Sequence, residues 1–69
     1  MHLEDLIHGL KARRESLKVT QEQLADISGV SLRTLKQFES GKGNPTLQTL
    51  TKLASVLGLE VKWEVKQVR

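Results

Sequence analysis

The chain contains no cysteine, so a disulfide framework and a thiolate zinc site are both excluded, and a reducing compartment fits it. No apolar run approaches the roughly 20 residues of a membrane span. The opening residues MHLEDL carry acids where a secretory signal would carry bases, and the expected location is cytoplasmic. A catalytic constellation is missing as well. His2 and His8 stand on different faces of a helix, and neither an HExxH pattern nor a phosphate-cradling glycine loop nor a paired catalytic carboxylate occurs. The chain is therefore not expected to be an enzyme, and it calls for no cofactor or metal. Excess charge is also small: a net charge of +3 with a pI near 9.6 favours polyanions only mildly.

Sixty-nine residues make one domain, with a core close to the lower limit for independent stability, which dimerisation would help. Two parts are expected: residues 1–58 as a helical domain, and residues 59–69 as a C-terminal strand.

What is present concentrates between Thr20 and Glu39, which reads as two short helices around a tight turn at Gly29. Leu24, Ala25, Ile27, Val30, Leu35 and Phe38 are spaced so that both helices turn an apolar face to one core. Thr20 with Gln23 forms a capping box, and Val19 with Leu24 has the spacing of a hydrophobic staple. Ser31 caps the second helix in the same way, with Val30 and Leu35 as its staple. Opposite Leu35 and Phe38 the second helix is expected to carry Leu32, Arg33, Lys36 and Gln37. An edge of Arg, Lys and Gln suits the DNA major groove. Position supports this more than total charge does: between Ser31 and Asn44 the bases Arg33, Lys36 and Lys42 face one acid, Glu39.

The first helix is predicted from about Leu3 to Ser16, with Leu3, Leu6, Ile7, Leu10 and Leu17 on one stripe. Its acids Glu4 and Asp5 and its bases Lys11, Arg13 and Arg14 complement the helix dipole. Gly9 costs about 1 kcal/mol inside a helix relative to Ala, which close packing against a neighbouring helix would explain. Residues 40–45, SGKGNP, form a loop. Thr46 then caps a helix whose Leu47, Leu50, Leu53, Ala54 and Leu57 make an apolar stripe ended by Gly58.

The segments TQEQLA, ISGVS and LKQFESGKGNPTLQTLTKLASVLGL resemble the Cro/C1-type (XRE) helix-turn-helix family from about Lys11 to Leu59. The resemblance implies an all-α, lambda-repressor-like domain of four to five short helices that binds double-stranded DNA as a homodimer. It places base contacts on Ser31, Leu32, Arg33 and Gln37. Arg33 would pair with guanine, Gln37 with adenine, and Leu32 with a thymine methyl. Phosphate contacts fall on Thr20, Gln21, Lys36, Lys42 and Asn44. It also implies a structural ion pair between Arg14 and Glu39. The function it implies is a transcriptional repressor on an inverted-repeat operator, in a bacterial or phage cytoplasm.

The tail departs from that family pattern. In LEVKWEV, Leu59, Val61, Trp63 and Val65 alternate with Glu60, Lys62 and Glu64, the pattern of a half-buried strand. A lone strand needs a partner. The same tail of a second copy would supply one, as an intersubunit ribbon with Trp63 packed beneath it. Docking on its own domain or on another protein are the alternatives. A helix-turn-helix module with such a tail resembles the HipB-type antitoxins, which implies a HipA-like kinase toxin as a further partner. The competing reading is an interaction module of the same fold with little DNA binding.

Overall fold

The structure, a computed structural model, describes residues 3–62. Four α-helices follow one another: α1 (Leu3–Ser16), α2 (Gln21–Ser28), α3 (Leu32–Glu39) and α4 (Leu47–Val56). Helix α2 packs on both α3 and α4, and α1 packs on α3. No helix among the described residues is long and apolar enough to cross a membrane.

Local chemistry sets the starts of α2, α3 and α4. The Thr20 hydroxyl accepts from the Gln23 N–H at 3.0 Å while the Gln23 side chain accepts from the Thr20 N–H at 2.9 Å, a complete capping box. Ser31 and Thr46 cap α3 and α4 by accepting from the N–H groups of Thr34 and Thr49. Each cap contributes about 1 kcal/mol.

Three of the four described helix ends follow one rule. After α1, α3 and α4 the chain turns left-handed at Lys18 (φ 57°), Gly41 (φ 81°) and Gly58 (φ 73°). The next N–H reaches back five residues, from Val19 to the Arg14 carbonyl, Lys42 to Gln37 and Leu59 to Ala54. This is the Schellman arrangement, which satisfies carbonyls the helix leaves open. Val19 and Leu59 then pack against the core, so two of these ends are fastened by apolar contact as well as by hydrogen bonds.

Leu24, Leu35, Leu53 and Leu57 are the most deeply buried large side chains, joined by Ile7, Leu10, Val30 and Phe38. Five expectations about packing are corrected, the first at Leu47, which opens α4 and is 58% exposed instead of lying on its apolar stripe. Ile27 is 65% exposed, because the buried side of α2 runs through Gln21, Leu24, Ala25 and Ser28 and Ile27 lies about 100° off it. Leu3 and Leu17 are exposed at the two ends of α1. The inner stripe of that helix is Ile7, Leu10 and Arg14, so a charged residue holds the place expected of Leu17. Leu32 does not face away from Leu35; it is half-buried against the core, only about 60° from Leu35 around the helix. Gly9 has no helix pressed against it: a Cβ built there meets no atom of the described residues within 4 Å.

Residues 59–62, the described part of the expected strand, form no strand. A strand is defined by hydrogen bonds to a second one, and no other described segment is extended beside them. Trp63 and Val65 lie outside the described residues.

Candidate nucleic-acid interface

The orientation of α3 is set from behind. Arg14 on α1 and Glu39 at the end of α3 are both buried, at 8% and 9% exposure. They join through two parallel bonds, Arg14 Nε to Glu39 Oε2 at 2.8 Å and Nη2 to Oε1 at 2.9 Å. The third guanidinium nitrogen, Nη1, donates to the Val19 carbonyl at 2.8 Å. Gln21, at the start of α2, donates from Nε2 to Glu39 Oε1 at 3.1 Å. One carboxylate thus gathers α1, α2 and α3 at a single point. The hydrogen bond with Glu39 raises the Arg14 pKa above its ordinary value, against the opposing effect of burial. No buried side-chain nitrogen or oxygen among the described residues is left without a partner.

The opposite side of α3 is covered by no other described helix. Arg33 and Gln37 are exposed and lie within about 20° of the direction opposite Leu35, with exposed Lys36 beside them. Ser31 is exposed at the helix start, where its hydroxyl also donates to Thr34 Oγ1 at 2.8 Å. Lys42 and Asn44 are exposed in the loop that follows, and Gly43 of that loop brings its backbone beside the Gln37 side chain. This cluster holds Arg33, Lys36 and Lys42 with no acid on the same face of α3, because Glu39 is consumed internally. Thr20 is exposed at the neighbouring start of α2, and Gln21 is half-buried next to it.

Two links were missed by sequence reasoning. Arg13, read as a dipole-complementing base, donates from Nε to the Leu57 carbonyl at 2.9 Å and so caps the far end of α4. No local pattern signals a contact across 44 residues. The Gln21–Glu39 bond had a weak signal in its place on the inner side of α2, one turn before Leu24 and Ala25.

A family model described as helix-turn-helix matches residues 10–63, most of the chain. The chain is 40% identical over 52 residues to the cryptic phage CTXphi transcriptional repressor RstR of Vibrio cholerae, which covers 75% of this chain and 46% of that protein. It is 37% identical over 57 residues to the SPbeta prophage-derived HTH-type transcriptional regulator YonR of Bacillus subtilis, covering 83% of this chain and 53% of that one. It is also 40% identical over 52 residues to the immunity repressor protein of Bacillus phage phi105, covering 75% and 36%. The matched segment spans about half or less of the length of these curated relatives. Helix spacing, turn and matched residues agree, and the chain belongs to the Cro/C1-type (XRE) helix-turn-helix family.

Proposed function

We propose that this domain is a sequence-specific DNA-binding transcriptional repressor that inserts α3 into the major groove. The observation that carries the reading is the two-sidedness of α3: Leu35, Phe38 and Glu39 fix one side in the fold, and Arg33, Gln37 and Lys36 project from the other. A reading helix has to be held rigidly and still offer paired donors, since a bidentate Arg–guanine or Gln–adenine contact depends on orientation. The repressor names of the phage relatives point the same way.

Arg33 and Gln37 are the base readers, with Ser31 at the helix start. Leu32, half-buried, has less of its side chain to offer a thymine methyl. Lys36, Lys42 and Asn44 meet phosphate, as do the helix start at Gln21 and the adjacent Thr20. Gln21 has a second duty, because its amide is already bonded to Glu39; a phosphate held there would also bear on the orientation of α3.

Two copies act together on an inverted repeat, joined by the tails in a ribbon that includes Leu59, Val61, Trp63 and Val65. Support for pairing comes from the small core and from the alternating tail sequence. A HipB-like pairing with a kinase-like toxin is a narrower form of the same reading, in which the toxin uses a surface other than α3. Co-purification with the product of a neighbouring toxin gene tests that form.

The test of the main reading is a mobility-shift titration against the protein's own upstream promoter, with scrambled duplex as competitor at physiological salt. A competitor-resistant complex is expected. Equal competition by scrambled DNA at that promoter and at every other duplex tried would instead favour the interaction module.

A further inference from the structure

Ser31, the cap of α3, and half-buried Thr34 hold each other by two hydrogen bonds. The Thr34 N–H donates to Ser31 Oγ at 3.1 Å, and Ser31 Oγ donates its own hydrogen to Thr34 Oγ1 at 2.8 Å. A serine hydroxyl has one hydrogen and two lone pairs. The cap takes one lone pair and Thr34 Oγ1 takes the hydrogen, so among the described residues exposed Ser31 keeps one lone pair to offer. Unheld, the same hydroxyl would rotate to donate or accept as its partner required. Thr34 therefore removes a choice and leaves Ser31 an acceptor. The distinction matters at this end of α3, because a helix lying in the major groove brings its N-terminal residues to the base edges. There adenine and cytosine present amine donors at N6 and N4, whereas guanine and thymine present the carbonyl acceptors O6 and O4.

We propose that Thr34 is a positioning residue that sets base specificity: by holding the Ser31 hydrogen it makes Ser31 select adenine or cytosine over guanine or thymine. Thr34 itself touches no base in this arrangement. The inference rests on the proposed insertion of α3 into the major groove. It adds which class of base one reading position takes and which residue decides it. The start of α4 supplies an internal comparison. Thr46 and Thr49 are paired in the same way, with Thr46 Oγ1 donating to Thr49 Oγ1 at 3.0 Å and the Thr49 N–H donating to Thr46 Oγ1 at 3.1 Å. That pair caps a helix to which no base reading is assigned, so changing it reports loss of cap support alone.

Selection of binding sites from random duplexes tests this with the full chain, as wild type, Ser31→Gly, Thr34→Val, Thr34→Ser and Thr49→Val. Ser31→Gly removes the hydroxyl but keeps a residue tolerated at a helix cap, and the base position whose preference it flattens is the one Ser31 faces. The wild type is expected to favour adenine or cytosine there by about fivefold, the order of one net hydrogen bond. Thr34→Val keeps the shape of the side chain and frees the Ser31 hydrogen, so guanine and thymine should enter at that position while the other positions keep their bases. Thr34→Ser and Thr49→Val should leave the preference as it is. A wild-type preference for guanine or thymine at that position overturns the proposal, and this result needs no folded Thr34→Val. A folded Thr34→Val with an unchanged motif overturns it too, as does a Ser31→Gly motif identical to that of the wild type; both leave α3 as the reading helix and remove this inference alone. The same relaxation in Thr49→Val would make it an effect of cap support and also overturns the proposal. A wild type that enriches no motif overturns the proposed function itself, and this inference with it.

Discussion

Arg14 and Glu39, 25 residues apart in sequence, face each other through two parallel hydrogen bonds of 2.8 and 2.9 Å inside the domain. A buried ion pair of this kind is a poor source of net stability but a strong constraint on geometry, because each charge is tolerable only while the other is in place. Here it determines how the outer side of α3 is presented, since Glu39 ends that helix and also receives Gln21 from α2.

Removing one partner is therefore expected to cost far more than removing both. Glu39→Ala strands the buried guanidinium and should lose about 3 to 5 kcal/mol, a large share of the whole stability of a domain this size. The double replacement Arg14→Met with Glu39→Leu should lose clearly less than the sum of its single changes. Urea unfolding followed by circular dichroism supplies the cycle, and additive losses would contradict the account.

Lys18 occupies a left-handed turn, at φ 57°, that glycine fills after α3 and α4. Relieving the Cβ there should outweigh the extra freedom glycine brings to the unfolded chain. Lys18→Gly is expected to raise stability by about 0.5 to 1 kcal/mol, seen as a higher melting temperature. A lower one would show that the lysine side chain contributes a contact of its own.

Gly58 gives the opposite case. Its φ is 73°, and a Cβ added there would stand 3.5 Å from Arg13 Nη2, the guanidinium that caps α4. Gly58→Ala should lose about 1 kcal/mol through backbone strain. Thermal unfolding decides, and a neutral result would mean that the turn relaxes without cost.

At the proposed DNA face, Arg33 and Lys42 should separate by kind of effect. Arg33→Ala is expected to lose about 1 to 3 kcal/mol of discrimination at one base position with little change in non-specific binding. Lys42→Ala should weaken binding to every sequence and lower the salt slope by about one. Titrations at several salt concentrations distinguish them. Equal losses on all sequences for Arg33→Ala would move it from reading bases to holding phosphate.

Much of this was legible in the sequence because caps are local. Thr20, Ser31 and Thr46 announce their helices within three residues, and Gly29, Gly41 and Gly58 announce the ends. Exposed Arg33 and Gln37 follow from period alone. The Arg14–Glu39 pair was implied by family resemblance, and local pattern had no means of finding it. Ile27 and Leu32 depart from expectation in opposite senses, Ile27 being expected inward and standing out, Leu32 being expected outward and packing in, because the inner face of each helix is centred by its most buried residues. Gly9 is expected to be closely packed, yet no described atom lies within 4 Å of where its Cβ would be. Arg13 shows the limit most plainly, since its partner is a main-chain carbonyl on another helix.

The central claim is that α3 reads base sequence as one of a two-fold pair, and selection from a pool of random duplexes followed by sequencing tests it most directly. The account predicts an enriched inverted repeat with half-sites about one helical turn, roughly 34 Å, apart, and loss of one conserved position in each half-site with Arg33→Ala. A pool that emerges without any enriched motif would contradict it.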